Sequence, residues 1–226
     1  MQHQVQRPEL PRTVAILTGD LIGSTKADPA AVEQAMAVLA STAAEISAWQ
    51  ADGADTRFTR FRGDGWQMML TDPALALRAA VTLMARLRAS ETGLDSRLAI
   101  GIGRLDRAGS DDLSDAAGPA FERSGRALDA MKRADRMAID GLAPTRLHRG
   151  LLALIDERMS RWTPEQAEAA ALYLHPDNPT LSEIGAELDI SPQAVSYRLT
   201  GAGAPRLRQV LRDWEDEVDF AETDQP

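Results

Sequence analysis

The stretch TVAILTGDLIGST, residues 13–25, decides the fold. Its first seven residues are apolar and rich in branched side chains, which predicts a buried β-strand. Asp20 ends this apolar run and is followed by a loop of small residues. A lone carboxylate at that point indicates either a turn-capping residue or one ligand of a binding site.

The segments that follow this strand alternate between helix and strand patterns. A capped helix is predicted from Asp28 to about Trp49. TRFTRF and WQMML then flank Gly63-Asp64-Gly65, which predicts a hairpin with Asp64 at its tip. The remaining predicted elements are a helix at 73–87, a strand at 97–105, a helix at 118–133 and a short strand at 136–139. This order predicts an α+β sandwich with helices on one face of a mostly antiparallel sheet.

From about residue 145 the pattern is helical throughout. Leu147 to Arg161 predicts an amphipathic linker helix, and Thr163 begins a capping box for the next one. The predicted organisation is a flexible leader at 1–12, an α+β domain at 13–145, a linker helix with an all-α domain at 146–212, and an acidic tail at 213–226.

Composition narrows the classes of function. Of the 226 residues, 44% are hydrophobic and 26% charged, and no apolar run is long enough to cross a bilayer, so no membrane partner is expected. The absence of cysteine excludes a disulfide, a thiolate metal site and a cysteine nucleophile, and favours a cytoplasmic location. The net charge of -9 lies in residues 150–226, with 6 arginines and 15 acids; the tail, with seven of those acids, is expected to be solvated.

Asp20 and Asp64 form the first candidate constellation. If their strands are neighbours in the sheet, the two carboxylates meet, and hard oxygen ligands of this kind suit Mg²⁺ together with phosphate oxygens and water. The alternative is that both are ordinary turn residues, and spacing alone favours that alternative.

Four blocks of sequence carry a family resemblance. TVAILTGDLIGST, FRGDGWQMML, RLAIGIG and GPAFERSGRAL occur in the order and spacing of the class III nucleotidyl cyclase catalytic domain, whose core is ferredoxin-like. They resemble still more closely the SatD family of bacterial proteins, which has the same blocks. The resemblance covers roughly residues 13 to 140. It implies a purine nucleotide as ligand and Mg²⁺ or Mn²⁺ as cofactor.

The same resemblance implies roles for individual residues. Asp20 and Asp64 match the two metal-binding aspartates of the cyclases. The loop after Asp20, with Gly23, Ser24 and Thr25, would hold phosphates.

Other positions depart from the cyclase pattern. Arg60 replaces the usual lysine at a base-reading position and is kept, with Arg126, among the expected nucleotide-binding residues. Pro119 replaces a polar residue that would bond the base. Glu122 stands where the cyclases have an asparagine that orients the ribose. Arg126 keeps the place of a phosphate-contacting arginine and is the single catalytic candidate. The expected site is competent for metal and nucleotide, but not a cyclase.

TLSEIGAELDISPQAVSYRL, residues 180–199, is the strongest signal in the chain. Thr180 with Glu183 predicts a capping box, Ser191 caps a second helix, and Gly185 is small where two helices must approach. The stretch resembles the helix-turn-helix of bacterial transcription regulators, with Asp189 in the turn where glycine is commonest. An aspartate enters the left-handed conformation more readily than most residues.

In that resemblance the second helix would enter the major groove of double-stranded DNA. Glutamine can pair with adenine, arginine with guanine and alanine with a thymine methyl, while serines suit phosphates. Arg198, Arg206, Arg208 and Arg212 could form a basic stripe, although the segment is acidic and a helical interaction module is the alternative. The predicted DNA-binding residues are Ser191, Gln193, Ala194, Ser196, Tyr197 and Arg198.

Together these features predict a dimeric transcription regulator in which a degenerate cyclase-like domain binds a cyclic or linear purine nucleotide and modulates DNA binding. The alternative is an active nucleotidyl cyclase or related phosphoryl-transfer enzyme that uses Asp20 and Asp64. A third hypothesis makes the chain a protein-interaction adaptor.

Overall fold

The structure, a computed structural model, describes residues 13–50, 56–61, 63–110, 112–141 and 145–217. The strands in these ranges are β1 Thr13–Ile22, β2 Arg57–Arg60, β3 Gly65–Leu70, β4 Asp95–Arg104 and β5 Met137–Asp140. The α-helices are α1 Pro29–Ser47, α2 Ala76–Ala89, α3 Pro119–Asp129, α4 Arg146–Ser160, α5 Pro164–Tyr173, α6 Leu181–Glu187, α7 Pro192–Ala202 and α8 Ala204–Glu217. The predicted leader lies outside the described residues, as does the tail from residue 218 onward. No helix in the described part is both long and apolar enough to span a membrane.

The strands form one mixed sheet in the order β2-β3-β1-β4-β5. β1 lies at the centre, antiparallel to β3 and β4, and β5 runs parallel to β4. The α+β class, the mostly antiparallel sheet and the hairpin with Asp64 in its turn are confirmed. The element order from β1 to β4 is β-α-β-β-α-β, the arrangement of ferredoxin-like folds.

Helices cover both faces of the sheet. Ala15 and Leu17 of β1 belong to the core that contains α1 and α2. Val14 and Ile16, whose side chains alternate with those two, pack in a second cluster with Ala120 of α3. The prediction that helices cover one face is therefore wrong.

Two glycines of β4 explain how α3 covers that second face. A Cβ placed on Gly101 would lie 2.2 Å from the carbonyl oxygen of Ala120 and 2.4 Å from the backbone nitrogen of Ser124, and Gly103 is similarly close to α3. The hydroxyl groups of Ser124 and Thr18 are 2.8 Å apart and form a hydrogen bond between helix and sheet. The glycines of RLAIGIG thus create the space in which α3 lies.

Replacing Gly101 by alanine should lower the free energy of unfolding by about 3 kcal/mol, since the new methyl group forces α3 away from the sheet. Gly125→Ala is the matched control, because a Cβ at Gly125 meets nothing within 4 Å. That control should be neutral or stabilise by up to about 1 kcal/mol through helix propensity. Urea titrations followed by circular dichroism measure both, and equal effects of the two substitutions would contradict this packing.

The C-terminal helices pack against the sheet-containing part through α2. Eleven of the 14 residues of α2 are buried, including a run of alanines, and the outer side of the helix contacts the alanine-rich α5. One apolar cluster runs from the sheet through α2 into the helices after residue 160. The predicted domain division near residue 145 stays a prediction, and the core is continuous across it.

A buried arginine ties α2 to α8. Arg78 is 3% exposed, and its Nε and Nη2 donate to the two carboxylate oxygens of Glu215 at 2.6 and 2.7 Å. Its Nη1 donates to the carbonyl oxygen of Leu174 at 2.6 Å. Each of its three nitrogens therefore has a partner in the C-terminal helices.

The first residues of the predicted acidic tail are part of this contact. Asp213 to Glu217 continue α8, Trp214 is 3% exposed, and Glu215 pairs with Arg78. The expectation of a solvated tail from residue 213 is wrong for these two side chains. An acidic run predicts solvation, but one tryptophan and one buried cation are enough to order its beginning.

Arg78→Ala should lower the free energy of unfolding by about 3 kcal/mol, because it leaves the Glu215 carboxylate in the interface without its cation. The double variant Arg78→Met with Glu215→Leu should recover much of that loss, since both charges are then gone. Asp216→Asn, on the exposed side of the same helix, is the control. Thermal unfolding checks the cycle; an Arg78→Ala effect no larger than the control would rule out a structural role for the pair.

Candidate functional site

A cleft of about 630 Å³ lies where β1 ends. It is lined by residues 20–25, by Asp64 of the hairpin turn, by Arg97 of β4 and by the connection between α3 and β5. Asp20, Gly23, Ser24, Thr25 and Asp64, all predicted from sequence, therefore meet in one place.

The sheet register places these residues together. Asp20 lies opposite Gly65 on one side of β1 and opposite Arg97 on the other. Gly23 has a φ of 81°, a left-handed conformation that favours glycine and turns the chain away from the strand. The loop from Gly23 to Thr25 can consequently fold over the end of the sheet beside the hairpin turn.

Asp20 is held by an arginine that sequence reasoning missed. Arg97 donates from Nε to one carboxylate oxygen of Asp20 at 3.0 Å and from Nη2 to the other at 2.5 Å. The pKa of the Arg97 guanidinium is raised, chiefly by these hydrogen bonds and further by the charges of Asp20, Asp129 and Asp64. The antiparallel pairing of two sequence segments could have revealed this partner, but the register that decides it is a long-range property.

The donor set does not fit the metal pair that the cyclase resemblance implies. Both oxygens of Asp20 accept hydrogen bonds from Arg97, and Oδ2 of Asp64 accepts one from the Ser24 hydroxyl. Asp20 and Asp64 share a cleft, but both oxygens of Asp20 and one oxygen of Asp64 are bonded to protein groups.

The two arginines predicted to bind nucleotide are placed elsewhere. Arg60 pairs with Glu33 of α1 through bonds of 2.6 and 2.8 Å, which lower the pKa of that glutamate. Arg126 is exposed and pairs with Asp140 at 2.9 Å. Neither lines the cleft. Its arginines are instead Arg97, Arg133 and Arg136.

Arg136 also borders a second cleft of about 430 Å³, between α2, the start of β4 and α4. Its backbone N–H donates to Oδ2 of Asp156 in α4 at 2.7 Å, and its guanidinium lies 3.9 Å from Asp95. Burial raises the pKa of Asp156 more than this bond and the Arg136 charge lower it. The connection from α3 to β5 is thus joined to α4 through a half-buried carboxylate.

The shifted pKa of Asp156 predicts a pH-dependent stability. Because the folded state binds this proton more tightly than the unfolded state, ionisation costs stability above about pH 4, and the cost is complete above the folded-state pKa. Asp156→Asn keeps an acceptor for the Arg136 N–H and should raise Tm at pH 7, with the gain disappearing below about pH 4. Glu157→Gln, an exposed neighbour, should show no such gain. A loss of stability in Asp156→Asn at pH 7 would contradict the sign.

α6 and α7 form a compact helix pair. Thr180 and Ser191 cap their first turns, and Asp189 in the connection has a φ of 52°, the left-handed conformation expected of it. A Cβ on Gly185 would lie 2.7 Å from the carbonyl oxygen of Ile190, so only glycine fits this approach. The caps and the tight turn are confirmed.

The outward face of α7 is polar and accessible. Gln193, Ser196 and Tyr197 are exposed, Tyr197 to 83%, and Ala194 is half-buried. Ser191 is also exposed, but its hydroxyl oxygen accepts the Ala194 N–H as a cap.

Arg198 does not project outward with them. It is half-buried and donates to Glu168 of α5 at 3.1 Å. Four of the six predicted DNA-contacting residues are thus exposed, three on α7 and Ser191 at its N-cap, and Arg198 is paired with Glu168.

The structure does not form the basic stripe considered from the sequence, which comprised Arg198, Arg206, Arg208 and Arg212. Arg208 lies over the ring of Tyr173 at 3.2 Å and donates to its carbonyl oxygen, and burial lowers its pKa. Arg206 donates to Gln209, and Arg212 donates to Asn178. Helix periodicity places these arginines near one another, but tertiary packing directs them to different partners.

No family model matches the chain, and no curated protein sequence matches it. Among solved structures the fold is similar to the catalytic core of a rhodopsin-guanylyl cyclase with converted specificity in complex with ATPalphaS, at 14% identity and TM-score 0.43, covering 54% of this chain and 73% of that one. The fold is also similar to that of the guanylyl cyclase Cya2, at 18% identity and TM-score 0.39, covering 57% of this chain and 74% of that one. A bacterial light-regulated adenylyl cyclase is similar at 16% identity and TM-score 0.40, covering 57% of this chain and 75% of that one. The similarity is one of fold alone.

Proposed function

We propose that the chain is a transcription regulator that binds DNA through α7 and responds to a purine nucleotide in the cleft at the end of β1. The observation that carries the proposal is the outward face of α7. Its polar residues are exposed, while Val195 and Leu199 on the opposite side are buried against the neighbouring helices. A short capped helix presented in this way, on a preceding helix and a tight turn, suits insertion into a major groove.

The exposed side chains have the chemistry that base reading needs. The amide of Gln193 can donate to and accept from adenine at once, and the hydroxyls of Ser191 and Ser196 can bond phosphates. Tyr197 adds a large exposed contact area. Arg198 supports the helix through Glu168 and is not free to reach a guanine while that pair is intact.

The nucleotide part of the proposal is supported by five predicted residues that line one cleft, Asp20, Gly23, Ser24, Thr25 and Asp64. Its ligand would be the purine nucleotide that the sequence blocks imply. A nucleotide changes the affinity for DNA only if it binds the DNA-binding conformation and the other conformation of the protein with different free energies. The change in DNA affinity cannot exceed that difference.

A homodimer is part of the proposal. A helix-turn-helix reads paired half-sites about one DNA turn apart, which requires two copies. Leu147 and Leu154 of α4 lie two helical turns apart and are 84% and 69% exposed. Their position is suited to contact with a second chain.

An enzyme is the second candidate, because Asp20 and Asp64 do line the same cleft. Several features disfavour it. Asp20 is bonded to Arg97, Arg126 lies outside the cleft, and Glu122 replaces the ribose-orienting asparagine of the cyclases. Formation of a cyclic product from ATP or GTP with Mn²⁺, abolished by Asp20→Asn, would favour the enzyme.

The deciding experiment retrieves sheared genomic DNA with the purified protein, with and without a mixture of purine nucleotides and Mg²⁺, and sequences what is retained. A recurrent inverted repeat is expected, and its enrichment should change with nucleotide. No enrichment under either condition would contradict DNA binding.

On the recovered sequence, Gln193→Ala should weaken binding by about 1–3 kcal/mol and relax the base preference at one position in each half-site. Gln209→Ala removes an exposed glutamine from α8 and is the matched control, with no change expected. Fluorescence anisotropy with labelled duplexes measures both. Equal affinities of wild type and Gln193→Ala would remove α7 from the interface.

A further inference from the structure

The cleft at the end of β1 contains more positive than negative charge. Its lining includes Arg97, Arg133 and Arg136 against the carboxylates of Asp20 and Asp64. Asp20 is already neutralised by the two hydrogen bonds from Arg97. The two remaining guanidinium groups therefore face one carboxylate in the lining.

Arg133 can turn to a ligand in the cleft, and Arg136 is held only by long contacts. Arg133 is exposed and has no carboxylate partner within the described ranges. Arg136 shares Asp95 at 3.9 Å and donates to the carbonyl oxygen of Arg133 at 3.3 Å, which keeps its head group at the rim of the cleft. Guanidinium groups bind phosphate oxygens through pairs of parallel hydrogen bonds.

The position of Arg97 decides how a phosphate would be bound. Nε and Nη2 of Arg97 already bond both oxygens of Asp20, so a divalent cation there would have to share the carboxylate with a positive group that repels it. The register of β1 and β4 places Arg97 directly across from Asp20. Strand pairing therefore brings the guanidinium group next to that carboxylate. A positive charge is thus already present beside Asp20 on a side chain.

We propose that this cleft binds the phosphate groups of its nucleotide directly through Arg133 and Arg136, without a divalent cation, and that Arg97 fills the metal's place at Asp20. This inference rests on the proposed function of the cleft as a nucleotide site. It makes the nucleotide a purely arginine-bound effector, so its binding does not depend on Mg²⁺.

Isothermal titration of the full chain with ATP and with GTP, in EDTA and in excess Mg²⁺, tests the inference. Binding is expected in EDTA. The double variant Arg133→Ala with Arg136→Ala should weaken it by about tenfold or more. Lys132→Ala is the control: it removes a positive charge from the neighbouring position, outside the cleft lining, and should leave the affinity nearly unchanged.

Asp20→Asn distinguishes the two modes of binding by the sign of its effect. If Arg97 replaces the metal, removing the Asp20 charge should preserve or strengthen nucleotide binding in EDTA, because the freed guanidinium adds to the positive charge. Binding that requires Mg²⁺ and disappears in Asp20→Asn would overturn this inference and leave the proposed nucleotide function standing. Absence of ATP and GTP binding in both buffers would overturn the two together. Binding in EDTA that is unaffected by the double variant would overturn the arginine assignment.

Discussion

The burial of α2 is the constraint on which the rest of the structure depends. A helix that is buried on nearly every side must be covered by the sheet on one side and by another element on the other, and α5 provides the second cover. Burying Arg78 in the same contact requires a compensating carboxylate and carbonyl, which Glu215 and Leu174 supply. The sheet and the C-terminal helices are consequently parts of one packed structure, although their sequence patterns differ.

The cleft at the end of β1 follows from the sheet. Central placement of β1 gives Asp20 a neighbour on each side, Gly65 of the hairpin and Arg97 of β4. Because the neighbour on β4 is an arginine, the carboxylate is paired within the protein. One residue at one register position thus pairs Asp20 within the protein and gives the cleft three arginines against two aspartates.

Local signals in the sequence predicted local structure well. Caps at Asp28, Thr180 and Ser191, the hairpin turn at Asp64 and the left-handed Asp189 all depend on a few adjacent residues. The five predicted residues of the cleft were assigned to one site by the resemblance of the sequence blocks, because spacing alone favoured ordinary turn residues.

The rest depends on contacts between distant segments, which one sequence does not reveal. Arg60, Arg126 and Arg198 pair with carboxylates on other elements. Tertiary packing, and not proximity along the chain, brings each pair together. The coverage of the second sheet face by α3 and the burial of Trp214 have the same origin.

The continuous core also limits how the molecule can move. A hinge motion of the C-terminal helices would expose the alanine surfaces of α2 and α5 and separate Arg78 from Glu215. The free-energy cost of that exposure exceeds the difference in binding free energy that a ligand ordinarily has between two conformations. In the proposed regulator, a signal between the two ends would therefore have to travel by shear, in which packed helices slide by about an ångström or two while their contact persists. The joint between the α3–β5 connection and α4, where Arg136 bonds Asp156, is where such a displacement would pass from one half to the other.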